Sequence, residues 1–569
     1  MNRYRQETLL ACAMLAVVAA PAGAAWVGVC PGSGEHAGTR ILERLTMASG
    51  EALFVIAAES KPDSCTVTEL PFASKNLLWG RLVGRNEAPA LSRGALLSTP
   101  PGDAPYSPPQ EIISLQAVEP PASAPPLGTD LIPELSATVF GAENRAAVRQ
   151  HAEGLTLECA SGTRTAGMLL RSRRSAPLPA GAALSVDLQV HAEDRFTFGA
   201  ADAKHERLGE PLAMGTLMPA STAPSFALPA ELDAANWRFW VVGCPAVAAR
   251  LHIRTLQLQP RTAAVAPLRS AWIWKPEAWL ERPDETLKLL SGIGADTAFI
   301  SVPLNASGQV SAPDALSRFI TAATRQGKRI WAVAGDPRAV LPSERKAYID
   351  RARAYAAYNR SVQLEARLSG LQLDIEPYLN PAYMIETEAW LAAYLDTISA
   401  IRAHAEVPID VALPFWWSRL EFRGKLFLDQ LAPHIEFVTI MNYNTAKQRL
   451  MDAAMPFLEW STRARKTVRV GLEAGPIPDE SLHAFRPGNS GRLWIVPMER
   501  HTLVLMLDSP QANPSGTALT YSDSRQRPGS MTTFHRNLDA LHRLLPELER
   551  AWQAWPSFGG IALHGFEPD

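Results

Sequence analysis

Two acidic residues, one residue apart, mark the segment of this chain that is best suited to chemistry. Residues 371–377 read LQLDIEP, in which polar and aliphatic residues alternate as they do along a β-strand. Gln372, Asp374 and Glu376 therefore share one face, and Pro377 ends the run. Paired carboxylates at the C-terminal end of a barrel strand predict general acid/base catalysis on a glycosidic bond.

Other predicted strands also end in residues that can serve such a site. Tyr443 follows the strand predicted for 437–442, Glu473 ends the strand predicted for 468–473, and His564 ends the last strand. Because the C-terminal ends of parallel barrel strands meet at one mouth, we expect these side chains to lie together.

The C-terminal half of the chain alternates strand-like and helix-like segments. The predicted strands are 270–274, 297–303, 329–334, 371–375, 409–414, 437–442, 468–473 and 560–564. Eight strands with mostly helical crossovers predict a (β/α)8 TIM barrel over residues 265–569, with an open doubly wound sheet as the alternative. The connection before the last strand, about 474–557, is long and should hold extra elements over the mouth.

Three further regions precede the predicted barrel. Residues 25–98 contain short strand-like runs and form a small N-terminal module, and residues 99–130 are a proline-rich linker. Short alternating strands over 131–264 predict a jelly-roll-like β-sandwich, which either binds sugar or serves as a scaffold for the barrel. The fold class is therefore multidomain, α/β plus all-β.

Residues 1–24 have the pattern of a secretory signal peptide. Two arginines precede an apolar run over 9–20, and Ala-Gly-Ala at 22–24 is a typical cleavage site. We therefore predict an exported protein, periplasmic or secreted, without a transmembrane segment. Cys12 lies in a faint lipoprotein box, but the apolar core before it is too short, so lipidation is not expected.

Four cysteines remain after the predicted cleavage, and an even number in an exported chain favours disulfides. Three pairings are possible, and the one that keeps each bridge within a module joins Cys30 to Cys65 and Cys159 to Cys244. No C-x-x-C pair occurs, so no structural zinc site is predicted.

The charge balance limits the class of partner. The chain has 55 basic and 57 acidic residues and a formal net charge of −2, which argues against a nucleic-acid partner. No H-E-x-x-H, G-x-S-x-G or phosphate-binding motif is present, so neither a metal nor a cofactor is predicted. The expected partner is a carbohydrate substrate, and the oligomeric state is left open.

The strand-four motif resembles that of the family 18 chitinase-type glycoside hydrolases and their less characterised relatives, which carry D-G-x-D-x-D-x-E. Residues 369–376 read SGLQLDIE. Asp374 and Glu376 match the last two acids of the motif, whereas Ser369 and Gln372 replace the first two.

Two other motifs extend this resemblance, which covers about 300 residues. Met441 and Tyr443 match the family's M-x-Y-D, with Asn444 in place of the aspartate. The glycine pair at 559–560 matches its strand-eight pattern, with His564 in place of a tryptophan. The resemblance implies that Glu376 donates the proton while the substrate's own N-acetyl group, oriented by Asp374 and Tyr443, attacks the anomeric carbon.

A second resemblance gives a different attacking group. The large clan of retaining barrel hydrolases has its acid/base Glu in Asn-Glu-Pro on strand four and a nucleophilic Glu at the end of strand seven. Glu376-Pro377 and Glu473 occupy these two places, and Tyr443 would steady the nucleophile. We slightly favour Glu376 with Glu473, assisted by Asp374 and Tyr443, and expect the anomeric configuration to be retained.

Sugar rings stack on aromatic side chains, and polar groups near the acids can bind hydroxyls. The residues predicted to contact substrate are Trp274, Trp416, Gln372, Asn442 and His564.

Each of these residues also has a structural interpretation, and a different class of function remains open. Asp374 can cap a loop amide, Glu473 can form a salt bridge with Arg469, and His564 can be a hydrogen-bonded core residue. The alternative function is a non-catalytic barrel of the cell envelope that binds carbohydrate.

Overall fold

The structure, a computed structural model, describes residues 25–32, 38–115, 123–261 and 268–566. The predicted signal peptide lies outside these residues. Within these four ranges, no helix is both long and apolar enough to cross a membrane. The chain combines a closed parallel barrel with several antiparallel sheets.

Eight parallel strands form the barrel, which is closed because the first strand pairs with the last. In order they are Arg269–Ile273, Thr297–Ser301, Arg329–Ala334, Leu371–Leu373, Ile409–Pro414, Phe437–Met441, Thr467–Glu473 and Phe558–His564. The prediction of a closed parallel barrel is confirmed, and the open doubly wound sheet is wrong.

Helices occupy the connections between these strands. They are Pro276–Leu280, Pro283–Gly292, Pro313–Arg325, Pro342–Ser361, Thr387–Arg402, Phe427–Leu431, Lys447–Ala464 and Leu538–Trp552, with a hairpin of Glu421–Phe422 and Lys425–Leu426 after strand five. Helix Pro313–Arg325 begins with a proline, whose missing N–H costs nothing at a helix start. It buries Leu316, Phe319, Ile320 and Ala323, which share one face at helical spacing.

The barrel interior contains a buried ion pair rather than only apolar side chains. Arg469 donates to Asp410 at 2.6 Å, and the two side chains are 4% and 0% exposed. The same Asp410 oxygen accepts hydrogen bonds from Thr439 at 2.7 Å and from Gln372 at 3.0 Å. Trp272 in turn donates to Gln372 at 2.5 Å. This network links strands one, four, five, six and seven.

Aromatic rings surround the buried cation. The guanidinium carbon of Arg469 lies 4.3 Å from the ring centre of Phe437, 4.8 Å from that of Trp331 and 5.3 Å from that of Phe299. Burial lowers the pKa of Arg469 and raises that of Asp410, so desolvation works against both charges. The rings and hydrogen bonds partly replace the water that the two charges lose.

Two five-stranded antiparallel sheets form the region between the linker and the barrel. The first consists of Ser225–Ala227, Leu184–Ala192, Ala249–Pro260, Gly154–Cys159 and Ala146–His151, and the second of Leu212–Leu217, Phe196–Asp202, Trp237–Gly243, Ala166–Ser172 and Leu135–Gly141. Helix Ala203–Leu208 follows one strand of the second sheet. The predicted disulfide Cys159–Cys244 is present and connects the two sheets.

The N-terminal segment forms one sheet by itself and part of another. The first has four strands, in the order Thr39–Thr46, Ala52–Ala58, Ala25–Pro31 and Thr66–Leu70. The predicted disulfide Cys30–Cys65 is also present, and two disulfides are consistent with an extracellular protein.

The second sheet has seven strands and joins distant parts of the chain. Its order is Leu77–Val83, Thr502–Gln511, Gly491–Pro497, Thr517–Arg527, Glu480–Gly488, Ala95–Thr99 and Glu111–Ser114. Four of these strands come from the long connection before the last barrel strand, and three come from the N-terminal segment, which also contains helix Ala88–Leu91. Strand Glu111–Ser114 lies within the predicted linker, and it pairs with Ala95–Thr99. We call this element the accessory sheet.

Replacing Arg469 with methionine should destabilise the protein strongly, because it leaves the Asp410 charge buried and unpaired. We expect a loss of roughly 3–5 kcal/mol in the free energy of unfolding, measured by urea denaturation. The control is Arg360→Met, which breaks an ion pair with Glu406 whose side chains are both more than half exposed. That change should cost about 1 kcal/mol or less. Equal losses in the two variants would contradict the importance of the interior pair.

Candidate active site

The C-terminal ends of the barrel strands border a cavity of about 610 Å³. Three parts of the chain supply its wall: the barrel, the long connection before the last strand, and the N-terminal segment. Its barrel lining includes Glu376, Tyr378, Phe415, Trp416, Met441, Tyr443 and Asn444, and its accessory-sheet lining includes Glu111, Glu480 and Arg527. The cavity therefore lies between the barrel mouth and the accessory sheet.

Asp374 and Glu376 are positioned by the short fourth strand, which ends at Leu373. Burial, and then the neighbouring Glu376 carboxylate, raise the pKa of Asp374 to about 7. Burial also raises the pKa of Glu376, against the lowering effect of a hydrogen bond from Tyr378. At neutral pH the pair therefore favours holding a proton, which is the state that a general acid requires.

Three tyrosines surround this carboxyl pair. Tyr378, in the turn Pro377–Leu379, donates its hydroxyl hydrogen bond to Glu376. Burial and the nearby carboxylates raise the pKa values of Tyr443 and Tyr394, so both stay protonated donors. The Tyr394 hydroxyl and one oxygen of Asp374 are buried without a hydrogen-bond partner among the described residues.

Glu473 is held by contacts on both of its carboxylate oxygens. One oxygen accepts from the backbone N–H of Gly475 at 2.5 Å, and the other lies 2.7 Å from Nδ1 of His564. Trp274 donates to Nε2 of His564 at 3.0 Å. Because an indole N–H can only donate, Nε2 is the acceptor and Nδ1 carries the proton that bonds Glu473. The Glu473 side chain is 5% exposed.

These three residues line a second cavity rather than the one that contains Glu376. It has a volume of about 480 Å³ and is lined by Trp274, Lys275, Glu473, Gly475, Pro476, Ile477, His564 and Gly565. The structure thus groups Glu376, Tyr443 and Trp416 at the first cavity, and Glu473, His564 and Trp274 at the second.

Gln372 and Asn442 occupy positions that differ from the expected contact with substrate. Both are fully buried, and neither lines the two cavities. Gln372 belongs to the interior network, while Asn442 donates to the carbonyl of Leu450 at 2.8 Å. Gln372 points into the packed barrel, where inward-facing strand residues fill the interior below the mouth. Asn442 lies on the other face of its strand and packs against helix Lys447–Ala464. The salt bridge considered for Glu473 is also absent, since Arg469 pairs with Asp410.

Sequence reasoning missed several residues at this site. Tyr378 follows Glu376-Pro377 directly, and its proximity in sequence was an available signal. Asp410 is an acid within a strand whose six residues are all buried, which is a second such signal. Glu111 and Arg527 could not be found in this way, because only the pairing of the accessory sheet brings them to the cavity.

The described ranges contain no group of three or more His, Cys, Asp or Glu residues arranged to hold a metal ion.

Comparisons with known proteins give no family for this chain. No protein-family model matches it, and no curated protein matches it. The resemblance to family 18 hydrolases therefore rests on the motifs alone.

Three matching solved structures are distant in sequence. A family 29 carbohydrate-binding module complexed with mannohexaose is 11% identical, covers 24% of this chain and 86% of its own, and has a TM-score of 0.18. The CBM22-1–GH10 modules of Clostridium thermocellum endo-1,4-β-D-xylanase 10B, complexed with xylohexaose, are 8% identical, cover 61% and 82%, and have a TM-score of 0.25. A family 29 module from Piromyces equi is 15% identical, covers 21% and 79%, and has a TM-score of 0.18. TM-scores this low carry no argument about function.

Replacing Asp374 with asparagine should stabilise the protein, and more so at high pH. The pKa of Asp374 is about 7 in the folded state and about 3.9 for an unfolded chain. Between these values the folded state binds more protons, so the free energy of unfolding falls as pH rises, by at most ~4 kcal/mol. An asparagine cannot ionise, so the variant does not lose this part of the free energy of unfolding as pH rises.

Thermal unfolding at about pH 5 and about pH 8 tests this expectation. The increase in Tm caused by Asp374→Asn should be larger at the higher pH. Asp396→Asn, at an exposed helix position, is the control and should change Tm little at either pH. An increase for Asp374→Asn that does not depend on pH would show that the carboxyl is ionised in both states.

Proposed function

We propose that this protein is an exported glycoside hydrolase with a (β/α)8 catalytic barrel, and that Glu376 is the proton donor to the leaving oxygen. The observation that carries this proposal is Glu376 in the wall of the first cavity, with its pKa raised by burial and a second acid, Asp374, two residues before it. Hydrolysis of a glycosidic bond needs an acid that keeps its proton near neutral pH. Burial of the pair supplies that property.

The other side chains of the first cavity suit a sugar. Trp416 is 54% exposed beside Tyr378, with ring centres 5.3 Å apart, and presents an aromatic surface at the cavity wall. Asn444, Arg449 and Arg527 add polar groups that can bind hydroxyls. An apolar surface with a few polar groups is the usual composition of a small-molecule site.

Two routes differ in the group that attacks the anomeric carbon. If Glu473 attacks, a carboxylate that is held by hydrogen bonds on both oxygens must reach a sugar whose leaving oxygen lies at Glu376 in the neighbouring cavity. If the substrate's N-acetyl group attacks, Tyr443 in the wall of the first cavity is a donor for its carbonyl, and the buried, unpartnered oxygen of Asp374 is the acceptor that its N–H would have to reach. These contacts favour the second route, and we propose that Glu473 holds His564 in place. Both routes retain the anomeric configuration.

Replacing Glu376 with glutamine should abolish hydrolysis, because the amide cannot donate the proton. Purified protein is screened against chitin, xylan, mannan, glucan and peptidoglycan, with reducing ends as the readout. Glu388→Gln, at an exposed position of a neighbouring helix, is the matched control and should keep full activity. Tight binding of a polysaccharide without turnover would instead support the non-catalytic carbohydrate-binding barrel. Turnover that survives Glu376→Gln would refute the assigned role.

Glu473→Ala in the presence of azide distinguishes the two routes. An enzyme that has lost its nucleophile regains turnover with azide and forms a glycosyl azide of inverted configuration. We expect no such product, residual hydrolysis without azide, and no cleavage of substrates that lack the N-acetyl group. Proton NMR of the first anomer released provides the readout. A glycosyl azide would restore Glu473 as the nucleophile.

A further inference from the structure

The two cavities at the barrel mouth are neighbours that share one residue, Ile477. Their volumes are about 610 and 480 Å³, and each lies in the range of a complete small-molecule site. Trp416 lies in the wall of the first cavity and Trp274 in that of the second. Glu376 belongs to the first cavity and Glu473 to the second, so Ile477, which we call the divider, separates the cavities of the two acids.

The segment 475–478, which contains Ile477, is held in place by contacts with residues 529 and 533. Thr533 donates to the carbonyl of Gly475 at 2.6 Å. Gly529 packs so closely that a Cβ there would lie 2.1 Å from the carbonyl oxygen of Ile477. The backbone at Ile477 is thus held by a later part of the same long connection. The Ile477 side chain is only half-buried and contributes to both walls.

Two stacked aromatic rings connect the linings of the two cavities. Tyr443 lines the first cavity, and its ring stacks on His564 of the second, with centres 6.2 Å apart and planes 26° from parallel. Burial, and then the charges of Asp374, Glu473 and Glu376, raise the pKa of Tyr443. The stacked rings of Tyr443 and His564 therefore connect the wall that holds Glu376 with the wall that holds Glu473.

Charged side chains in the two linings balance. Apart from Glu376, the first cavity has two acids and two bases, namely Glu111, Glu480, Arg449 and Arg527. The second has one of each, namely Glu473 and Lys275. Arg527 also bonds Glu480 directly. Burial raises the pKa of Glu376, and when Glu376 holds its proton the lining has no net charge and offers no electrostatic preference for an acidic or a basic sugar.

We propose that the two cavities form one cleft, which binds a linear and uncharged oligosaccharide chain across Ile477 and cleaves it internally. This inference rests on the proposed function, because it assigns the substrate to the same catalytic pair. Sugar units lie on both sides of the scissile bond, with Trp416 and Trp274 as stacking surfaces on opposite sides of the divider.

The test uses the full-length protein and β-1,4-linked N-acetylglucosamine oligomers from dimer to hexamer. We expect kcat/KM to rise at least about tenfold from dimer to hexamer, equivalent to about 1.4 kcal/mol, with internal products formed first. Ile477→Trp should remove most of this gain by narrowing the passage. Leu364→Ala, at a side chain 77% exposed, is the control. De-N-acetylated and uronic-acid oligomers of equal length should be poorer substrates.

The possible outcomes separate this inference from the proposed function. A kcat/KM that does not depend on length, with release of terminal units and loss of activity in Glu376→Gln, overturns the cleft but leaves the hydrolase. If a charged oligomer is cleaved as well as, or better than, the uncharged oligomer of equal length, the proposed preference for an uncharged substrate is overturned. If the wild-type protein cleaves no oligomer, binding of the hexamer is measured by calorimetry. Binding that Ile477→Trp weakens supports the cleft and refutes the hydrolase, whereas no binding overturns both.

Discussion

The ion pair between Arg469 and Asp410 is the constraint on which the barrel depends. Both charges lie in the barrel interior, where desolvation is costly unless each charge finds partners. Gln372 is one of these partners, and it belongs to the strand that carries the catalytic candidates. The packing of the interior and the position of the carboxyl pair are therefore linked through a single strand.

This pair also gives a physical reason for the altered strand-four motif. The family 18 pattern has an acid where this chain has Gln372. Here an acid at that position would contact Asp410, whose charge Arg469 already neutralises, and would bury a second carboxylate without a cation. A neutral amide can instead accept from Trp272 and donate to Asp410. The change is thus consistent with a different interior rather than with loss of the site.

The accessory sheet gives the barrel mouth a second wall. Its strands come from the N-terminal segment and from the connection before the last barrel strand, which are separated by more than 360 residues in sequence. Glu111 and Arg527 reach the cavity only because these segments pair. The N-terminal segment is therefore part of the wall that faces the catalytic candidates, in addition to forming a sheet of its own.

The sequence by itself determined the eight barrel strands and the adjacency of Asp374 and Glu376. These depend on local alternation and spacing, which are visible along the chain. The four cysteines allowed three pairings, and the structure has the one that keeps each bridge within a module. Only the tertiary structure decided that Gln372 and Asn442 are buried, that His564 and the Gly475 amide hold Glu473, and that the accessory sheet completes the mouth. These features depend on which distant side chains and strands meet, and periodicity carries no information about such long-range pairing.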